Sequence, residues 1–231
     1  MTSRNSIHHT AIIEDTVRLG VGNFIGPFVV IQGNVTIGDN NWIGPHSVIG
    51  SPADHSHFHS QGEKPAVVFG AVTIGSRCII HDHVSVHSPT TDNTVIESEV
   101  YVCSGAYLGH DVFLGHGATI SPRAALGGHV YVGHGATIGM GSSVHQRRII
   151  GPLSMIGMQS SVIENVQPCA VVAGNPACFI KQNQVALDRL DLGDGPWREQ
   201  LSRPFGSWDL ALFPVKLREI IESFQYQTRG K

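Results

Sequence analysis

The chain has 231 residues, a formal net charge of -3 at pH 7 and a hydrophobic fraction of 41%. This slightly acidic balance lacks the basic footprint of a nucleic-acid-binding protein, and the polar start and short apolar runs predict neither a secretory signal nor a membrane span. The four cysteines show no Cys-x-x-Cys spacing, which indicates reduced thiols, so we expect a cytoplasmic protein.

An aliphatic residue recurs at every sixth position of this chain. The pattern runs from Ile13 to Ile49, from Val68 to Val86, and then without a slip from Ile96 to Val162. Glycine and small residues follow most of these positions, as in the hexapeptide repeats of a parallel β-helix. Three hexapeptides make one triangular coil of 18 residues, so the chain predicts an all-β fold of about seven to eight coils. Hexapeptide coils are left-handed, an exception to the usual crossover rule.

Two interruptions of the pattern predict loops. The long step after Ile49 leaves residues 51–66 outside the coil, and the step from Val86 to Ile96 leaves a smaller loop over residues 87–95. Loops on a rigid scaffold often carry function, and the first one contains three histidines. Tolerated surface loops are an equally good interpretation.

The pattern ends after Val162, so we divide the chain into a β-helix domain, residues 1–180, and a C-terminal helical extension, residues 181–231. Apolar residues have helical spacing over 185–190 and 214–224. We expect this extension to cap the open end of the coil, where unpaired strand edges would otherwise recruit other chains.

The chemistry of the chain is expected to lie among its 14 histidines. Because residues 18 apart stack on successive coils, His110 lies in one column with Gly128 and Gln146. Asp111 lies in the neighbouring column with His129. A glycine above a histidine leaves space and a reachable backbone N–H for a substrate atom. An imidazole beside a carboxylate is a typical general base, although adjacent strand residues point to opposite sides, so His110 and Asp111 can pair only at a corner.

Other interpretations of the histidines stay open. Any single surface histidine can simply be solvated. His81, His110, His116 and His134 invite comparison with carbonic anhydrases built on this coil, whose metal lies between subunits on three imidazoles. Those enzymes use a His-x-x-x-x-His pair, whereas five residues separate His110 from His116, so we expect no metal. A purely structural coil is disfavoured by the histidine-rich, looped faces.

Three segments carry a resemblance to a known family. They are the runs Leu-Gly-His-Asp at 108–111, Gly-Gly-His-Val at 127–130 and Gly-Met-Gly-Ser-Ser-Val-His-Gln at 139–146. Together with the start of the chain at 6–14, they closely resemble the UDP-N-acetylglucosamine O-acyltransferases that begin lipid A synthesis. The resemblance extends over roughly residues 6–190. It implies a homotrimer with active sites between subunits, acting on a nucleotide-linked sugar.

The resemblance also implies roles for individual residues. His110 would be the general base with Asp111 beside it, and the Gly128 N–H would stabilise the oxyanion. The implied substrate-binding residues are His57, His59, His87, His129, His145, Gln146, Asn183 and Arg189. The chain departs from the family where His57 and His59 replace an acidic residue and a lysine, where Tyr107 replaces a histidine, and where Leu190 replaces a second arginine. These departures favour a related acceptor sugar.

No permanently bound cofactor is implied. The co-substrate would be an acyl-phosphopantetheine thioester, carried by acyl carrier protein or by CoA. Acyl carrier protein is favoured, with Arg147, Arg148, Lys181 and Arg189 as a docking face. The turn at 171–177 resembles that of CoA-dependent sugar acetyltransferases, so O- or N-acetylation from CoA remains the alternative.

Acyl length is predicted from Met158, and secondarily from Met140. The family carries either glycine or a bulky residue at the Met158 position. Met158 lies about 2.7 coils beyond His110, or about 13 Å along the axis at roughly 4.8 Å per coil. This predicts a short or medium acyl group of about ten carbons at most. Alternatively, the two methionines fill gaps in the core.

Overall fold

The computed structural model describes residues 4–54 and 70–229. The first strands in chain order are β1 (Ser6–Ile7), β2 (Ile12–Ile13), β3 (Arg18–Leu19), β4 (Phe24–Ile25), β5 (Val30–Ile31), β6 (Val35–Ile37), β7 (Trp42–Ile43), β8 (Val48–Ser51), β9 (Val72–Ile74), β10 (Ile79–Ile80), β11 (Ser85–His87) and β12 (Thr94–Ile96). They continue with β13 (Tyr101–Val102), β14 (Tyr107–Leu108), β15 (Phe113–Leu114), β16 (Thr119–Ile120), β17 (Ala125–Leu126), β18 (Tyr131–Val132), β19 (Thr137–Ile138), β20 (Ser143–Val144), β21 (Ile149–Ile150), β22 (Met155–Ile156), β23 (Ser161–Val162), β24 (Ala170–Gly174) and β25 (Ala177–Gln182).

These strands form three sheets, the faces of a triangular coil, and all neighbouring strands are parallel except the last pair, β24 and β25. Face 1 has ten strands from β1 to β25, face 2 has eight from β2 to β23, and face 3 has seven from β3 to β21. The predicted register is present, since Leu108 pairs with Leu126 and Leu126 with Val144. The fold is therefore the predicted hexapeptide β-helix, with eight coils counted on face 2.

The repeated aliphatic residues form the core. From Ile25 onward, the described residues at these positions point inward and are almost wholly buried, in one continuous cluster. Each fully buried side chain of this size stabilises the fold by about 1.5–3 kcal/mol relative to exposure. This buried aliphatic core keeps successive coils at constant spacing, so residues 18 apart stack along each corner.

After the first loop, the described part of the coil resumes at β9. Its Ile74 pairs with Ile37, so β9 follows β6 directly on face 3. Residues 55–69, which hold Val68, His57 and His59, lie outside the described part of the chain.

The C-terminal extension consists of α1 (Gln184–Asp188), α2 (Trp197–Gln200), a 3₁₀ turn at Leu210–Leu212 and α3 (Val215–Thr228). It is preceded by an antiparallel hairpin of β24 and β25, which carries the coil domain two residues beyond the expected boundary at 180. The extension packs along the side of the coil. Leu187, Trp197 and Leu217 build a second core against Leu153, and α3 lies against face 3, where Phe224 contacts Tyr131.

Candidate active site

A sharp corner brings His110 and Asp111 together. The chain turns there from β14 on face 2 to β15 on face 3, and Asp111 has the positive φ of 58° that such a turn requires. The His110 Nδ1 atom lies 2.7 Å from Asp111 Oδ2. The Asp111 side chain is fully buried, and 18% of the His110 side chain is exposed. The corner thus supplies the pairing that strand geometry alone would forbid.

The second loop folds onto Asp111. Thr90 N and Thr91 N donate to its two oxygens at 2.9 and 3.0 Å, and Asp92 N donates at 2.6 Å. Burial alone would raise the pKa of Asp111, but these N–H groups and His110 hold that pKa well below its usual value. Asp111 is therefore a carboxylate at neutral pH, and it accepts the proton on His110 Nδ1 as a hydrogen bond.

Gly128 makes room for the imidazole of His110. A Cβ built on Gly128 would lie 2.4 Å from both Cε1 and Nε2 of His110, so the ring edge that carries Nε2 packs against the glycine. Within residues 4–54 and 70–229, no acceptor is found for the Gly128 N–H. The Gly128 nitrogen lies close to the coil below, since a Cβ on Gly109 would lie 2.9 Å from it. The imidazole of His110 thus packs against a glycine whose N–H has no acceptor among the described residues.

His129 lies beside this pair. Its Nε2 is 3.7 Å from Asp111 Oδ2, and its ring meets that of His110 edge-to-face at 5.1 Å between centroids. Burial lowers the pKa of His129, against the opposite pull of the Asp111 charge. His129 is therefore mainly neutral near pH 7, which suits a hydrogen-bonding contact to a substrate better than a second charge would.

The same three residues are the only group of metal-type ligands within 4.8 Å of one another in the part of the chain that the structure describes. The other histidines compared with a metal site lie elsewhere in the chain: His81 bonds Tyr101 at 2.7 Å, and His116 stacks on His134 at another corner. Each Asp111 oxygen already accepts at least two hydrogen bonds, so a metal ion would have to displace donors that hold the loop.

We therefore expect a chelator to leave the chemistry of this site intact. The acyl transfer that the sequence resemblance implies should be unchanged after EDTA treatment and desalting, because a His–Asp general base needs no Lewis acid. The same preparation assayed with added Zn²⁺ is the control. Loss of activity with EDTA and its return with Zn²⁺ would contradict this expectation.

His87 lies one coil below His110, in a separate cluster. Its side chain is largely buried, its Nδ1 lies 2.8 Å from the Pro52 carbonyl, and its ring packs 4.8 Å from that of Tyr107. The Tyr107 hydroxyl donates to Asp54 Oδ2 at 3.1 Å, and burial together with the Asp54 charge raises the pKa of Tyr107 to about 12. Tyr107 thus links Asp54, at the start of the first loop, to face 2. The role of His87 in substrate binding stays a prediction.

The remaining substrate-binding predictions fall further along the chain. His145 and Gln146 are exposed on the His110 corner, two coils above the base. Asn183 caps α1 through Ala186 N and donates to the Leu153 carbonyl at 2.7 Å, so its amide serves the fold. Arg189 follows α1 and is exposed. The structure does not bring these four residues to His110 within one chain, and their nucleotide or pantetheine contacts stay predictions.

Met140 and Met158 stack at the corner between faces 1 and 2, with 47% and 69% of each residue exposed. They are therefore not core fillers. The face between this corner and His110 presents Ala125, Ser143 and Ser161, a floor of small residues. Because Met158 lies on a different corner from His110, the axial distance of about 13 Å is the minimum path within one chain, at roughly 4.8 Å per coil.

Sequence reasoning missed the residues that hold Asp111. Thr90, Thr91 and Asp92 lie in the second loop, and Thr94 Oγ1 accepts from Asp111 N at 3.0 Å. The available signal was the loop itself: it interrupts the repeat one coil before His110 and is rich in Thr and Asp. Such residues readily form turns that present successive N–H groups to an anion.

Comparison with known proteins gives a consistent result. The family model of the bacterial transferase hexapeptide (six repeats) matches residues 16–51. No curated protein matches the chain significantly. Solved structures that match include LpxA of Acinetobacter baumannii, with 23% identity, 97% of this chain and 96% of that chain covered, and a TM-score of 0.69. The UDP-N-acetylglucosamine acyltransferase of Francisella novicida has 23% identity, coverages of 96% and 87%, and a TM-score of 0.69.

The similarity also reaches a plant protein. The UDP-N-acetylglucosamine acyltransferase of Arabidopsis shares 20% identity, with 97% of each chain covered and a TM-score of 0.69. At these identities the similarity concerns the fold. This chain is a hexapeptide-repeat β-helix that shares the fold of UDP-N-acetylglucosamine acyltransferases over nearly its whole length.

Proposed function

We propose that this protein is an acyltransferase that moves an acyl group from a phosphopantetheine thioester to a hydroxyl or amine of a nucleotide-linked sugar. The observation that carries the proposal is the His110–Asp111 pair, with the Nε2 edge of His110 against Gly128. A base and a free N–H donor within one small space are the two groups that thioester acyl transfer needs. The shared fold with acyltransferases supports the same reaction class.

In this mechanism His110 Nε2 takes the proton of the acceptor as its oxygen or nitrogen attacks the thioester carbonyl. The Gly128 N–H stabilises the tetrahedral oxyanion, and the buried Asp111 carboxylate stabilises the imidazolium. Collapse of the intermediate expels the thiolate, which takes the proton back from His110. The products are the acylated sugar and free phosphopantetheine thiol, so neither an acyl-enzyme nor a bound metal takes part.

A homotrimer is part of the proposal. Face 1 carries an outward stripe of Phe24, Trp42, Ile79 and Tyr101, with Phe24 stacked on Trp42 at 5.8 Å. Phe24, Ile79 and Tyr101 are exposed and Trp42 is partly so, and such a row of large apolar residues is typical of a protein interface. Burying this stripe between copies would bring residues of a second chain towards the grooves of the first, where His145, Gln146 and Arg189 could serve a shared site.

The donor is proposed to be acyl carrier protein rather than CoA. Arg147, Lys181 and Arg189 are exposed, and Arg148 is partly so. Such basic side chains suit an acidic carrier protein. The reaction is proposed for the cytoplasm, consistent with four free cysteines. For the membrane question, no helix among the described residues is long and apolar enough to cross a bilayer.

The methionine corner gives a prediction about acyl length. Met158→Ala should raise the ratio of kcat/KM for long over short acyl donors at least about tenfold, because a bulky side chain is removed from the proposed far end of the acyl site. Met155→Ala is the matched control, since Met155 lies on face 1 between Thr137 and Val171. An unchanged ratio in Met158→Ala would remove Met158 from the acyl site.

The function is tested with a panel of acyl donors and nucleotide sugars, read by mass spectrometry. Acyl carrier protein and CoA thioesters of different chain lengths are combined with hydroxyl- and amine-bearing sugars. Acylation of a nucleotide sugar supports the proposal, and preference for acetyl-CoA would favour the acetyltransferase alternative. Absence of transfer to every nucleotide sugar would refute the proposal.

A further inference from the structure

The Thr90 hydroxyl touches both members of the His110–Asp111 pair. Thr90 Oγ1 lies 2.7 Å from Asp111 Oδ2 and 3.3 Å from His110 Nδ1. An ionised carboxylate can only accept, so the hydroxyl proton of Thr90 points to Oδ2. The hydroxyl oxygen is then left as a second acceptor for the Nδ1 proton.

The loop around Thr90 supplies the rest of the cradle. The N–H groups of Thr90, Thr91 and Asp92 point to the two oxygens of Asp111 in succession, as in a backbone anion nest. Asp111 can rotate only by breaking these bonds. Its Oδ2 is therefore held at one place, 2.7 Å from His110 Nδ1.

His129 competes with His110 for the same oxygen of Asp111, so the position of that oxygen is important. His129 Nε2 lies 3.7 Å from the same Oδ2. A small rotation of the carboxylate would favour a bond to His129 over the one to His110. The Thr90 hydroxyl, which bonds Oδ2 from the side of His110, opposes that exchange.

We propose that Thr90 is a positioning residue of the active site: its hydroxyl keeps Asp111 Oδ2 on His110 Nδ1 and thereby keeps His110 in the Nδ1–H tautomer with Nε2 free to act. This inference rests on the proposed role of His110 as the base. It makes the second loop a functional part of the site rather than a tolerated insertion.

The chain offers a matched pair of variants. Thr90→Val and Thr91→Val have the same shape change and both keep the backbone N–H bond to Asp111. The Thr91 hydroxyl is 3.5 Å from Oδ1, at the limit of a hydrogen bond, and has no contact recorded with His110 among the described residues. Thr90→Ser keeps the hydroxyl and should restore function.

We expect Thr90→Val to lower kcat about 10- to 100-fold, the loss typical of one hydrogen bond to a charged group, with KM little changed. Thr91→Val should lower kcat less than Thr90→Val does, and Thr90→Ser should restore kcat to within about threefold of the original protein. Nitrogen-15 NMR of the ligand-free protein should show a lower Nδ1–H fraction for His110 in Thr90→Val only.

Two outcomes would overturn the inference. One is full activity and an unchanged His110 tautomer in Thr90→Val. The other is lost activity with an unchanged tautomer and a lowered Tm, which would assign Thr90 a purely structural role. The NMR arm needs no substrate, so a protein without acyl transfer activity would refute the proposed function while the tautomer still tests the cradle.

Discussion

Gly128→Ala is expected to lower kcat for acyl transfer about 100-fold while the protein stays folded. The new Cβ would lie 2.4 Å from His110 Cε1 and Nε2, so the imidazole must leave its position. A displacement of about 1 Å at a reacting group costs about that factor. The clash involves the end of a side chain rather than backbone, so the ring can yield and the Tm should change little. Steady-state kinetics and thermal unfolding measure the two effects separately.

Gly117→Ala is the matched control. A Cβ at Gly117 meets nothing within 4 Å, but Gly117 has a φ of +67°, which strains an alanine. This variant should lose about 1 kcal/mol of stability and keep its activity. Gly128→Ala should lose activity and keep its stability, whereas Gly117→Ala should lose stability and keep its activity. This difference separates displacement of His110 from general damage to the coil. Full activity in Gly128→Ala would contradict the assigned geometry.

His110→Ala is expected to reduce kcat/KM about 10²- to 10⁴-fold, the range that a positioned general base contributes. The Gly128 N–H and the substrate contacts would remain, so a residual rate above background is expected. Because only 18% of the His110 side chain is exposed, thermal unfolding is measured alongside to confirm that the variant stays folded. The measurement is acyl transfer under single-turnover conditions.

His83→Ala provides the control for this variant. His83 is exposed at another corner and stacks on His46 at 5.0 Å between ring centroids. Its loss should leave the rate within about twofold, as is usual for a surface group away from the chemistry. Equal rates for His110→Ala and the original protein would favour a purely structural coil.

Much of the fold was predictable from the sequence because its signal is periodic and redundant. Many aliphatic residues, such as Leu108, Leu126 and Val144, each indicate the same coil, so one exception does not change the predicted fold. The first loop shows the limit of that reasoning, because the repeat alone does not say which strand follows the loop on each face. Strand pairing shows that Ile74 follows Ile37 on face 3.

The candidate site was predictable in part. The 18-residue column placed His110 next to Gly128, and the resulting contact is present. The contacts of Asn183 were not predictable, because a residue that caps a helix and one that binds a ligand look the same in sequence. The exposure of Met140 and Met158 was visible only in the structure, since the side chain of a corner residue can point inward or outward.

The sequence by itself determined the coil, its register and the column that contains His110, because these follow from a repeat whose period equals the geometry of the fold. Tertiary structure alone decided how Asp111 is used. The positive φ at the corner turns its carboxylate towards His110, and a loop distant in sequence supplies the N–H groups that hold it. Such a cradle depends on dihedral angles and on contacts between separate coils, and neither leaves a periodic signature in the chain.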